Sequence, residues 1–166
     1  MDCNVISHIN CVDRGIMGHV SQIYCTYNWE FRIALAAFLG AFVGLERELR
    51  GKAAGIRTYA IISMASCLFT ILSKNIGGDH DPARIAANIV TGVGFLGAGV
   101  IWHKDSGVEG LTTAASIWCV SALGMAIGFN YISIAVSSGA SVLVIMEIFG
   151  LIQRKLFKIF GKNTNK

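Results

Sequence analysis

The charged and amide residues of this chain gather in three places where they could do chemistry. The segment ERELRGKAAGIR, residues 46–57, carries Glu46, Arg47, Glu48, Arg50, Lys52 and Arg57. Glu46 and Arg50 lie four apart, on one face of a helix. Glu46 and Arg57 fall at the ends of the two helices that this turn must join, where a pair would clamp the hairpin. An exposed pair of that kind contributes about 1 kcal/mol or less, and the plainer reading is a solvated turn that sets orientation. Further on, Asp79, Asp81 and Arg84 precede an apolar run, with Asn88 one turn beyond Arg84. Asp81 before Pro82 is a helix start, the acid capping free amides and the proline accepted at the first helical position. An amide at Asn88 inside a bilayer must find a partner, either as glue between helices or as part of a polar pathway. Glu147 is a lone acid in an apolar run, either an intramembrane functional group or a side chain that snorkels to the interface.

Glycines form the second kind of pattern. Gly92, Gly94, Gly97 and Gly99 make the run GVGFLGAG, whose first six residues match the dinucleotide-binding GxGxxG. That match is accidental, because such a loop must follow a strand and open a helix, with an acidic ribose partner about 20 residues on. Four glycines cost a helix about 4 kcal/mol relative to alanine, so something must offset them. Close helix packing is one explanation, shared with the GxxxG pairs Gly40/Gly44 and Gly124/Gly128. A broken helix lining a mid-membrane site is the other, and the absence of a proline beside the glycines favours packing.

The elements that must position these residues are membrane helices. An apolar fraction of 54% with 14% charge exceeds what a water-soluble core requires. Residues 85–102 carry no charge, nor do residues 110–146, a stretch long enough for two crossings of about 20 residues each. The spacing predicts an all-α polytopic bundle of five transmembrane helices, over about Trp29–Leu45, Thr58–Ser73, Pro82–Trp102, Leu111–Phe129 and Tyr131–Ile152. Residues 1–28 read as a polar N-terminal tail, 29–152 as the five-helix domain and 153–166 as a basic tail. Ten of the fourteen Lys and Arg residues would share the side holding the 46–57 turn and the C-terminus. The positive-inside rule then puts the N-terminus outside and the C-terminus in the cytoplasm.

Several function classes fall away. The net charge of +4 comes from dispersed basic residues with little aromatic interleaving, unlike a nucleic-acid surface. Cys3, Cys11 and Cys25 are irregularly spaced, while Cys67 and Cys119 sit in apolar runs and read as small core residues. The four histidines all fall outside the spans, so no Ser-His-Asp or Cys-His arrangement forms. No enzyme activity and no cofactor are expected, and the sequence assigns no metal site.

The three blocks GAFVGLERELRGKAAGIRT, DPARIAANIVTGVGFLGAGVIW and GLTTAASIWCVSALGMAIG together resemble the MgtC/SapB family of bacterial membrane proteins. The resemblance runs from about Glu30 to Leu151. It implies an inner-membrane protein with a five-helix hydrophobic domain, in a family linked to survival at low magnesium and inside host cells. The matching positions are Gly44, Glu46, Arg47, Gly55, Arg57 and Thr58, then Asp81, Arg84 and the four glycines 92–99, then Gly110, Thr112, Thr113, Ala114, Ala115, Trp118 and Cys119. Asn88 stands where relatives more often carry glutamine, and the soluble C-terminal domain of many relatives is not expected here.

Two functions are then in contention. One is a regulator that docks through its glycine-rich faces onto another integral membrane protein and so affects magnesium homeostasis, with the lipid bilayer and a possible homodimer as further partners. The other is a transporter or channel for Mg²⁺ or another ion, lined by Glu46, Asp81, Asn88 and the glycines of the third span. A magnesium site favours carboxylates that leave the ion its waters, and only Glu147 falls within a span, which favours regulation.

Overall fold

The computed structural model describes residues 17–76, 84–105 and 107–160, with side chains described from residue 29 to 152 and at 155. Cys3, Cys11, Asp79, Asp81 and Pro82 lie outside these residues, as does the side chain of Cys25. Five helices follow in order: α1 (Met17–Leu49), α2 (Ile56–Ile76), α3 (Arg84–Ala98), α4 (Leu111–Gly128) and α5 (Ile132–Phe160). Between α3 and α4 runs a short antiparallel hairpin, β1 (Trp102–Lys104) with β2 (Gly107–Glu109), Trp102 opposite Glu109. The chain is thus an all-α polytopic membrane bundle with one hairpin that hydropathy does not reveal.

Helices α2, α4 and α5 are each long and apolar enough to cross a bilayer. The other two differ from the sequence expectation in length. Helix α1 begins at Met17, well before Trp29, so part of the polar N-terminal segment is helical. Helix α3 has 15 residues, about 22 Å at 1.5 Å per residue, because it stops at Ala98 and the chain turns into the hairpin. Helix α5 runs on to Phe160, so the basic tail opens as helix.

The turns have explicit local causes. After α1, Gly51 adopts φ 63°, while Gly51 N–H donates to the Glu48 carbonyl and Lys52 N–H to that of Arg47. That pair of bonds is the Schellman motif, whose left-handed residue suits glycine. Asn130 plays the same part after α4, with φ 71° and bonds from Asn130 N–H to Ile127 and from Tyr131 N–H to Ala126. At the other end of α4, Gly110 has φ 91°, and a Cβ there would run into the Val100 carbonyl, so no other residue fits.

Helix α2 occupies the centre, held on two sides by glycine ridges. A Cβ on Gly40 would lie 2.5 Å from the Tyr59 carbonyl oxygen, and one on Gly44 2.8 Å from Ile56 Cα. From α4, a Cβ on Gly124 would collide with the Ser63 carbonyl, and one on Gly128 would lie 2.6 Å from Thr70 Cβ. Around this contact the buried apolar residues Val43, Tyr59, Ile62, Ile117, Val120 and Leu123 form the main core. Helix α3 adds Ala86, Ile89 and Val93 to it. Helix α5 joins mainly at Ala135, which is buried, and at Gly139, which faces Leu123. At the far end of the bundle Arg32 of α1 donates to the Gly128 carbonyl at 3.5 Å, a cation at the C-terminus of α4 where the helix dipole favours one.

Gly92 and Gly94 behave differently, since a Cβ at either meets nothing within 4 Å. Gly124→Ala should therefore destabilise the folded bundle by about 1–3 kcal/mol through overpacking, whereas Gly92→Ala should stabilise it by up to about 1 kcal/mol through helix propensity. Thermal unfolding of the two variants in the same detergent checks the opposite signs.

Candidate functional site

The acids and bases of the α1–α2 turn form a closed knot at one end of the bundle. Arg47 is buried, and its Nε and Nη2 donate to the two Glu46 carboxylate oxygens at 2.5 and 2.8 Å. Arg50 Nε donates to the same Glu46 carboxylate, making the i, i+4 pair that the spacing predicts. Arg50 Nη2 then reaches across to Glu147 Oε1 of α5 at 2.7 Å. This gives the half-exposed Glu147 a partner, and the pair ties α5 to the α1–α2 corner. The Glu147 hydrogen bond, reinforced by the charges of Glu46 and Glu147, outweighs burial and raises the Arg50 pKa. Arg50 therefore stays charged between its two acids.

The anticipated Glu46–Arg57 clamp does not form. Glu46 is taken by Arg47 and Arg50, and Arg57 and Thr58 are exposed. Glu48 does the work instead: its Oε2 accepts from Ile56 N–H at 2.8 Å, placing a negative charge on the N-terminus of α2. Gly55 makes the approach possible, since a Cβ there would sit 2.5 Å from that oxygen.

Among the described residues, those proposed to line an ion path do not meet. Asn88 is exposed on α3 and its Nδ2 donates to the Arg84 carbonyl of its own helix at 3.2 Å, so it reaches no neighbouring helix. Arg84 is also exposed, Asp81 lies outside the described residues, and Glu46 is at the knot. Of the four glycines, Gly97 faces Ala114 at 3.6 Å and Gly99, just past the end of α3, lies against the Leu96 carbonyl, while Gly92 and Gly94 face outward. They share the outer face with Asn88, Thr91 and Phe95, the last 82% exposed. Helix α3 is unbroken through Gly92, Gly94 and Gly97 and ends at Ala98, just before Gly99. Among the described residues no three acids, histidines or cysteines come close enough to hold a metal ion.

Sequence reasoning missed the largest polar feature. Tyr59, Ser63, Ser66, Thr70 and Ser73 recur along α2 at steps of four, three, four and three, and all are at most 3% exposed. They face Thr113, Ser116 and Ser121 of α4, equally buried, while Thr112 is exposed. Tyr59 Oη and Ser116 Oγ are 2.5 Å apart, and Ser66 Oγ and Ser121 Oγ 2.9 Å apart. Ser116 also donates to the Thr113 carbonyl at 2.9 Å, Thr70 to the Ser66 carbonyl at 2.7 Å, and Ala86 N–H to Ser73 Oγ at 3.3 Å. The heptad-like period was the available signal, hidden because each hydroxyl counts as a mild residue in a hydropathy window.

Buried glycine ridges, charges confined to the bundle ends and three crossing helices define a polytopic helical membrane protein. A model of the MgtC family matches residues 33–155, and the chain belongs to that family. It is 41% identical over 146 residues to Escherichia coli (strain K12) YhiD, provisionally named a magnesium transporter, the match covering 83% of this chain and 66% of that one. It is 43% identical to Protein MgtC of Brucella abortus over 61% of this chain and 42% of the relative. It is also 38% identical to Protein SapB of Bacillus subtilis over 75% of this chain and 58% of the relative. The chain thus spans less than two thirds of the relatives it matches. No solved structure matches it.

Arg50→Gln should free the far end of α5, because one half-exposed ion pair contributes about 1 kcal/mol or less. Amide hydrogen exchange over residues 143–152 should then quicken by up to about fivefold relative to the parent chain, and added salt should quicken the parent in the same direction.

Proposed function

We propose that this chain is a multi-pass protein of the bacterial inner membrane that regulates another integral membrane protein, in support of growth when magnesium is scarce. The observation that carries this reading is the outer face of α3. Gly92 and Gly94 have open space around them, yet each costs the helix about 1 kcal/mol relative to alanine. Nothing inside this bundle offsets that cost, whereas a flat glycine surface beside the exposed Phe95 is what a second membrane helix packs against. The magnesium link comes from the relatives' names and family.

Gly92→Leu and Gly94→Leu test the reading directly. Both side chains fit the open space, so each variant should be made and inserted normally while losing co-purification of its membrane partner and growth at low magnesium. Full growth of both variants would overturn the docking role. The second reading, a Mg²⁺ transporter, is supported by the name given to the Escherichia coli relative. Purified protein that carries Mg²⁺ down a gradient into liposomes would establish it over the regulatory one.

The proposed orientation, N-terminus outside and C-terminus in the cytoplasm, rests on the excess of Lys and Arg at the α1–α2 turn and after α5. A C-terminal fusion to a reporter active only in the cytoplasm should be active, and an alkaline phosphatase fused at the same place inactive.

A further inference from the structure

We propose that the hydroxyl row between α2 and α4 is a path for protons across the membrane, a function separate from the docking role of α3. The row follows α2 from Tyr59 to Ser73, about 21 Å at 1.5 Å per residue, most of the thickness of a hydrocarbon core of about 30 Å. A polar group in the bilayer core is expensive, and here eight buried hydroxyl side chains share one seam. At one end stand Tyr59 and Ser116, close to Gly44 and hence to the Glu46–Arg47 knot. At the other end Ser73 meets the backbone N–H of Ala86 in the first turn of α3.

The middle of the row carries a second mark. Ser63 Oγ is fully buried and has no hydrogen-bond partner, although it lies between the bonded levels Tyr59–Ser116 and Ser66–Ser121. A buried hydroxyl left in this state costs about 1–3 kcal/mol, which a bridging water would recover. Steps of three and four residues separate successive α2 hydroxyls by about 4.5 and 6 Å. Two hydrogen bonds of about 2.8 Å through one water span a three-residue step but not a four-residue one, since even in line they reach only about 5.6 Å. Single waters would therefore complete the three-residue steps, while Ser116 and Ser121 of α4 stand beside Tyr59 and Ser66, where the four-residue steps begin.

Its chemistry selects the proton. A hydroxyl takes a proton on a lone pair and passes its own to the next oxygen, so each hop forms one O–H bond and breaks one, and the row is restored when the hydroxyls turn. Mg²⁺ would need six oxygen ligands and compensating negative charge. The row offers neither, for among the described residues its side chains are neutral hydroxyls, Glu46 and Glu147 are paired with arginine, and Glu48 caps the N-terminus of α2.

The test uses the purified full chain in phosphatidylethanolamine/phosphatidylglycerol liposomes that enclose a pH-sensitive dye, with a valinomycin–K⁺ potential, negative inside, drawing protons in. The wild type should acidify the lumen well above the protein-free rate. Thr70→Val, which keeps the shape and removes the hydroxyl, should lower the protein-dependent rate about tenfold, and Thr70→Ser should restore it. Phe69→Leu, at an exposed α2 position off the row, should leave it unchanged. A wild-type rate equal to that of empty liposomes overturns the proposal, as does a Thr70→Val rate equal to the wild type's.

Discussion

The close approach of three backbones decides this architecture: α2 lies between the Gly40/Gly44 ridge of α1 and the Gly124/Gly128 ridge of α4. In a bilayer the lipid tails are as apolar as leucine, so helices gain little from burying apolar side chains against each other. Dispersion over short distances and hydrogen bonds between helices must hold them instead. Glycine serves both, because it brings the Tyr59, Ser63 and Cys67 carbonyls against neighbouring helices and seals the α2 hydroxyls away from lipid. The core positions and both bonded hydroxyl pairs depend on that spacing. A methyl group at Gly124 would push α4 off Ser63 and part the Ser66–Ser121 bond one turn along.

The remaining helices are attached differently. Helix α3 lays one narrow apolar face, Ala86, Ile89, Val93 and Gly97, against the trio and turns the rest outward. Helix α5 buries still less, packing at Ala135 and Gly139 near its start and tethered further on through Arg50 to Glu147. That tether is also why the turn after α1 is so rich in charge: Arg47 neutralises Glu46 within the bundle, Glu48 caps α2 and Arg50 bridges to α5. One short segment joins three helices, and each of its acids has a separate task.

Much of this was legible in the sequence. Apolar runs placed the helices because every backbone polar group in a bilayer must be satisfied within its own helix. Glu46 and Arg50 were readable because four residues is one helical turn. Other features depend on which face of a helix turns inward, and periodicity alone does not say. Gly40 and Gly92 look alike in sequence, yet one meets the Tyr59 carbonyl and the other open space. Glu147 showed its need for a partner but not its distance from Arg50, 97 positions earlier in the chain. The hairpin at Trp102–Glu109 was hidden because three-residue strands are too short to show alternation. The hydroxyl row is hidden for a different reason: it carries no charge, and in a membrane interior neutral hydroxyls are the polar groups that can be buried at tolerable cost.

The two proposed roles meet at one bond. Ala86, in the first turn of α3, donates its N–H to Ser73, the last hydroxyl of the row. The same helix carries Gly92 and Gly94 on its outer face, about 9 and 12 Å further along its axis at 1.5 Å per residue. An α-helix moves as a nearly rigid rod over such a distance, so a partner that shifts α3 at its glycines also shifts Ala86 relative to Ser73. Helix α3 is held by one narrow face and the central trio by two glycine ridges, so α3 yields first. Docking would in that case act on the row at its end and leave the packed interior as it is.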